Sequence, residues 1–151
     1  RSKKFCEAIA DKLFYVGPSG AGHTLKLVHN MVCHANFLTL CQAGRMAEKS
    51  GIELSDMIDV FNTANARSYI SQFRFPKHIL SGKWDARSRV YNLNKDLGMA
   101  VELGKKLKVD VSMGQGTSNF LKSAMNIGMS EMDFSLLYRD FDKITKKRKR
   151  K

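Results

Sequence analysis

A glycine-punctuated turn, Gly17-Pro18-Ser19-Gly20-Ala21-Gly22, runs directly into a long apolar stretch, and that junction limits what the chain can fold into. Glycines at 17, 20 and 22 permit backbone conformations and close approaches that a Cβ would block, so a substrate or anion is expected to lie against main chain there. Past Gly22, Leu25, Val28, Val32, Ala35, Thr39, Ala43 and Met46 recur at intervals of three and four. Leu27, Met31, Phe37, Leu38 and Leu40 make the other faces apolar as well. The spacing predicts one helix from about Gly22 to Lys49, buried all round, with Ser50-Gly51 supplying a left-handed end.

Lys26 and Asn30 stand four residues apart on that helix, so both side chains occupy one face, one turn from each other. An ammonium in a protected place needs a partner or a lowered pKa, and either condition suits it to pass a proton or hold a negative oxygen. The alternative puts Lys26 in an exposed first turn reaching water. Periodicity does not separate the two.

A chain of 151 residues suffices for one domain with a proper core. With 43% hydrophobic and 26% charged residues it reads as a soluble globular protein, and no apolar run approaches the ~18 residues of a membrane span. It opens at Arg1 without a leader pattern and reads as a piece of something longer. Cys6, Cys33 and Cys41 are odd in number, and the last two lie too far apart along one helix to pair, which predicts free thiols in a cytoplasmic or otherwise reducing compartment. His23, His29, His34 and His78 are scattered, so no metal site is expected. His29 reads as a structural histidine, with ligand contact as the alternative.

The net charge of +12 raises nucleic acid as a partner. Six of those charges form the terminal run Lys146-Lys147-Arg148-Lys149-Arg150-Lys151, without interleaved aromatics, so only weak, salt-sensitive binding by that tail is expected.

In chain order, Phe5, Ala8, Ile9 and Leu13 have helical spacing and Phe14-Tyr15-Val16 is β-prone. After the long helix, a shorter one is predicted with Ser55 as N-cap and Met57, Ile58, Val60 and Phe61 as its buried side. Pro76 is expected to open a turn of helix, and Arg67, Arg74 and Arg87 are possible carboxylate holders beside surface pairing. Leu93, Leu97, Ala100, Gly104 and Leu107 stripe a helix over about 90–107, Thr117 to Met125 another, and Asp133 or Ser130 caps the last.

Three motifs carry a family likeness. Gly17-x-x-Gly20-x-Gly22-x-x-x-Lys26-x-x-x-Asn30, then Lys95-Asp96-Leu97-Gly98, then Gly128-Met129-Ser130-Glu131-Met132-Asp133-Phe134-Ser135 resemble, in the same order, those of the C-terminal domain of the β-hydroxyacid dehydrogenase family, which includes 3-hydroxyisobutyrate dehydrogenase and tartronate semialdehyde reductase. The resemblance implies an all-α bundle around one long buried helix, like the C-terminal domain of 6-phosphogluconate dehydrogenase, over residues 17–145. Residues 1–16 would be a helix–strand remnant of a Rossmann domain and 146–151 a basic tail. The dinucleotide fingerprint is absent, since Gly114-Gln115-Gly116-Thr117-Ser118-Asn119 fails at its last position.

By the same resemblance, Lys26 is the general acid/base for oxidation of a small hydroxy acid to its semialdehyde or keto form. Gly20, Gly22, Asn30 and Tyr69 would bind substrate, and Lys95 with Asp96 would face NAD or NADP. A homodimer or homotetramer is implied. Ala86-Arg87-Ser88 stands where many relatives carry glycine and phenylalanine, a departure that bears on the nicotinamide-side packing and on substrate identity. The competing reading is a non-catalytic helical oligomerisation module whose tail binds nucleic acid or acidic partners.

Overall fold

The computed structural model describes residue 6 and residues 8–148, and the regular structure among them is helical apart from one isolated bridge between Arg89 and Asp133. The elements are α1 (Ala21–Lys49), α2 (Leu54–Thr63), α3 (Ile70–Leu80), α4 (Val90–Lys106), α5 (Ser112–Asn126), α6 (Leu136–Arg139) and α7 (Phe141–Arg148). Phe5 and the last three residues of the basic run lie outside the described residues.

The long helix matches its predicted span, and its end is a glycine-dependent cap. Gly51 takes φ 76°, its N–H reaches Glu48 O at 3.1 Å and the Ile52 N–H reaches Ala47 O at 3.0 Å, which satisfies carbonyls the helix leaves open. Gly128, at φ 88°, ends α5 in the same way through Met125 O and Ala124 O.

Burial along α1 corrects the expectation of a helix covered all round. Its buried positions are Asn30, Phe37, Leu38, Leu40, Cys41, Gly44 and Ala47, whereas Leu25, Val28 and Val32 are 51%, 43% and 52% exposed. The reason is length. A helix of 29 residues runs about 43 Å, and the shorter helices cover only its C-terminal two-thirds. The first turns overhang the bundle.

One core runs through the bundle, with Leu97 of α4, Leu121 of α5 and Ile144 of α7 fully buried, and its aromatic part lies where α1, α3 and α6 meet. The ring of Phe37 packs edge-on against Phe134 at 4.9 Å between centroids, and Phe75 packs edge-on against Tyr138 at 5.5 Å. Each such fully buried side chain contributes roughly 1.5–3 kcal/mol. Gly44 admits this arrangement, because a Cβ there would stand 2.8 Å from the Tyr138 ring and 2.9 Å from Leu54 Cδ1.

The α3 segment is wound as a π-helix with Pro76 inside it, not at its start as expected. In that winding the residue 76 N–H would serve the carbonyl five residues earlier, and proline has none to give. Asn62 of α2 donates to that carbonyl, Ser71 O, at 3.3 Å. Ser68 and Ser71 exchange backbone N–H to side-chain Oγ bonds, 2.9 and 3.2 Å, which pins the turn leading into α3.

Other boundaries shift modestly. Glu53, not Ser55, precedes α2, α5 begins at Ser112, and Leu107 is 62% exposed beyond the end of α4. Phe14, Tyr15 and Val16 form no strand, since nothing among the described residues pairs with them, and a lone strand has no ladder to stabilise it.

Candidate functional site

The site begins where α1 enters the bundle. Gly20 sits just before α1 at φ 94°, a left-handed conformation that glycine adopts without strain, and its carbonyl takes the Thr24 N–H at 3.0 Å. A Cβ at Gly20 or Gly22 would meet nothing within 4 Å, so this backbone faces open space. Lys26 follows in the overhanging turns and is exposed, and no carboxylate among the described residues lies within ion-pair distance of it.

One turn on, Asn30 is buried. Its Nδ2 donates to Asp96 Oδ2 at 2.8 Å, and its Oδ1 lies 3.1 Å from His29 Nδ1. Asp96 Oδ1 in turn lies 3.6 Å from Lys95 Nζ, whose side chain is half exposed. Asn30, Lys95 and Asp96, far apart in the chain, therefore form one cluster across α1 and α4. A buried carboxamide held by a carboxylate has a fixed orientation, here one helical turn after Lys26.

His34 extends the row by another turn, since Lys26, Asn30 and His34 follow at intervals of four. Burial pushes the His34 imidazole down to about pKa 4, against the pull of Asp96, with His29 and Lys26 adding to the lowering. Its Nε2 is buried without a hydrogen-bond partner among the described residues. Among the four scattered histidines, His34 is marked in the sequence only by its four-residue spacing from Asn30.

Tyr69 lies at the turn that leads into α3. Its ring lies 4.9 Å from that of Phe73 and 5.9 Å from the Arg74 guanidinium, and it is 60% exposed.

The third motif acts through backbone. Asp133 Oδ2 accepts the Arg87 N–H at 2.8 Å, while its Oδ1 accepts the Ser135 N–H at 2.9 Å and the Ser135 hydroxyl at 2.6 Å. Beside it, Met132 O and Ser130 O take the N–H groups of Val90 and Tyr91, both at 3.0 Å. The first N–H groups of α4 are thus capped by this turn, which sets where Lys95 and Asp96 stand.

Nothing among the described residues forms the strand-and-glycine framework that grips a dinucleotide pyrophosphate. Lys95 offers a half-exposed donor beside the Asp96 carboxylate. No group of three or more His, Cys, Asp and Glu residues among the described ones could hold a metal. No described helix is long and apolar enough to cross a membrane.

Comparison with known proteins agrees with this geometry. Residues 20–141 match the family model described as NAD-binding of NADP-dependent 3-hydroxyisobutyrate dehydrogenase. The chain is 26% identical to 2-(hydroxymethyl)glutarate dehydrogenase of Eubacterium barkeri over 91% of its own length and 46% of that protein's. It is 29% identical to L-threonate dehydrogenase of Escherichia coli, over 92% and 46%. A crystal structure of 3-hydroxyisobutyrate dehydrogenase from Salmonella typhimurium superposes with a TM-score of 0.83 at 27% identity, covering 91% of this chain and 48% of that one. The chain thus spans slightly under half the length of these relatives. With the Gly–Lys–Asn helix, the Lys–Asp helix and the Asp–Phe–Ser turn joined in this way, the chain belongs to the 3-hydroxyisobutyrate dehydrogenase family of hydroxyacid dehydrogenases, whose helical NAD-binding region it matches.

Proposed function

We propose that residues 17–145 form the substrate-binding and assembling half of an NAD(P)-dependent dehydrogenase that interconverts a small β-hydroxy acid and its semialdehyde or keto form. Residues 1–16 belong in this reading to the preceding dinucleotide-binding unit. The observation that carries it is the Asn30–Asp96 bond, which holds two family motifs together one turn from Lys26. The relatives named above, acting on 2-(hydroxymethyl)glutarate, L-threonate and 3-hydroxyisobutyrate, support a hydroxy acid as the substrate class.

Oxidation requires the hydroxyl proton to leave oxygen as hydride leaves the same carbon. A bound nicotinamide supplies the hydride acceptor. Lys26 takes the hydroxyl proton, and in the reducing direction its ammonium returns one to the carbonyl oxygen. Asn30 orients the substrate, the open Gly20–Gly22 backbone admits its carboxylate, and Lys95 closes the far side with Asp96. The exposed apolar stripe Leu25, Val28 and Val32 supports assembly into a homodimer or homotetramer.

The test is Lys26→Ala in the intact protein. Loss of hydroxy-acid oxidation by 10²-fold or more, with oligomeric state unchanged, supports the reading; undiminished turnover overturns it. The 151-residue chain alone is expected to show no turnover.

A further inference from the structure

Arg87 has an unusual backbone and an unused charge. It takes φ 60°, a left-handed conformation that side chains with a Cβ rarely adopt. Of the other two non-glycine residues at positive φ among the described residues, Lys108 ends α4, its N–H reaching Lys105 O at 3.1 Å, and Trp84 closes on His78 O at 2.9 Å. Arg87 ends no helix. Its amide is held by Asp133, so the closing turn imposes the strained conformation and leaves an arginine where a glycine would be unstrained.

Its side chain lines a cavity of about 270 Å³ together with Ser88, Arg89, Asn92, Glu131 and Asp133. The acidic groups there are already engaged. Glu131 receives Arg89 at 2.6 Å and the Ser130 hydroxyl at 3.2 Å, and Asp133 is committed to the Arg87 amide and to Ser135. No carboxylate among the described residues lies within ion-pair distance of the Arg87 guanidinium. Asn92, on the same cavity wall, precedes Asp96 by four residues on α4. Asn92 thus stands one helical turn, about 5.4 Å, before Asp96 on one face of α4.

We propose that Arg87 determines substrate specificity by receiving, with the Asn92 amide, a second carboxylate carried a few carbons beyond the reacting centre. The inference rests on the functional reading above and deepens it: the substrate is a hydroxy dicarboxylate, held at its far end by the guanidinium fork. A planar guanidinium matches a carboxylate through two parallel N–H bonds. Such an interaction also accounts for keeping arginine at a position where its backbone is strained.

The test is titration of the isotope-labelled full chain with glutarate and with butyrate, following the amide resonances of Ser88, Asn92 and Asp96. Wild type is expected to bind glutarate about tenfold more tightly than butyrate. Arg87→Gly, which relieves the backbone and keeps or raises the melting temperature, is expected to bind both equally. Equal affinity in wild type, or a preference that survives Arg87→Gly, overturns the proposal. Inorganic phosphate shifting these resonances more than glutarate at equal concentration overturns the carboxylate assignment. The glutarate preference is read by binding, so it stands or falls separately from the effect of Lys26→Ala on turnover.

Discussion

Asn30 Nδ2 donates to Asp96 Oδ2 across 2.8 Å, joining two helices whose residues lie 66 positions apart. The bond does two things at once. It satisfies a buried amide, and it sets the side of α4 that carries Lys95 beside the turn that carries Lys26.

Replacing Asn30 by Asp would set two carboxylates against each other at a buried position. Asn30→Asp is expected to lose about 1–3 kcal/mol of stability at neutral pH and to recover part of it on acidification, as one carboxyl takes up a proton. Urea unfolding at two pH values reads both effects. Unchanged stability at neutral pH would remove the bond from the account.

His34 ties stability to pH. Its folded pKa of about 4 lies below the ordinary 6.5, so the unfolded chain binds the proton more readily. Stability is then fully present above pH 6.5 and falls as pH drops toward 4, by about 3 kcal/mol in all. In His34→Gln that slope is expected to flatten. A slope of the same size in the variant would assign it to other groups.

At Gly44 any side chain collides with Tyr138 and Leu54. Gly44→Ala gains helix propensity of about 1 kcal/mol but overpacks the core at a cost of about 1–3 kcal/mol. A lowered melting temperature is the expected result. Thermal unfolding followed by circular dichroism measures it, and a raised temperature would mean that Tyr138 moves aside without cost.

Asn62 and Pro76 are expected to couple through Ser71 O. Asn62→Ala should cost about 1 kcal/mol in the parent chain and less in Pro76→Ala, where a backbone N–H becomes available to the same carbonyl. A double-mutant cycle by denaturant unfolding isolates this coupling, and a zero interaction energy would show that the two residues act independently.

Much of this fold was legible in local pattern. The three-and-four spacing located α1, α4 and α5, and Gly51 and Gly128 marked helix ends, because helix period and left-handed caps are properties of neighbouring residues. The motif order placed Asn30 and Asp96 among the site residues. Their bond was not legible, since no spacing rule links side chains on different helices.

What the sequence by itself determined is therefore where the main helices lie, the two glycine-capped ends and the chemistry each face offers. Tertiary structure alone decided that the apolar first turns of α1 stay exposed, that Pro76 lies inside a π-helix served by Asn62, and that Phe14-Tyr15-Val16 forms no strand. It also decided that His34 is driven neutral and that Arg87 is held in a glycine-like conformation by Asp133. The physical reason is the same in each case. Burial, strand pairing and desolvation depend on what distant segments place nearby, and amphipathic period describes one helix at a time.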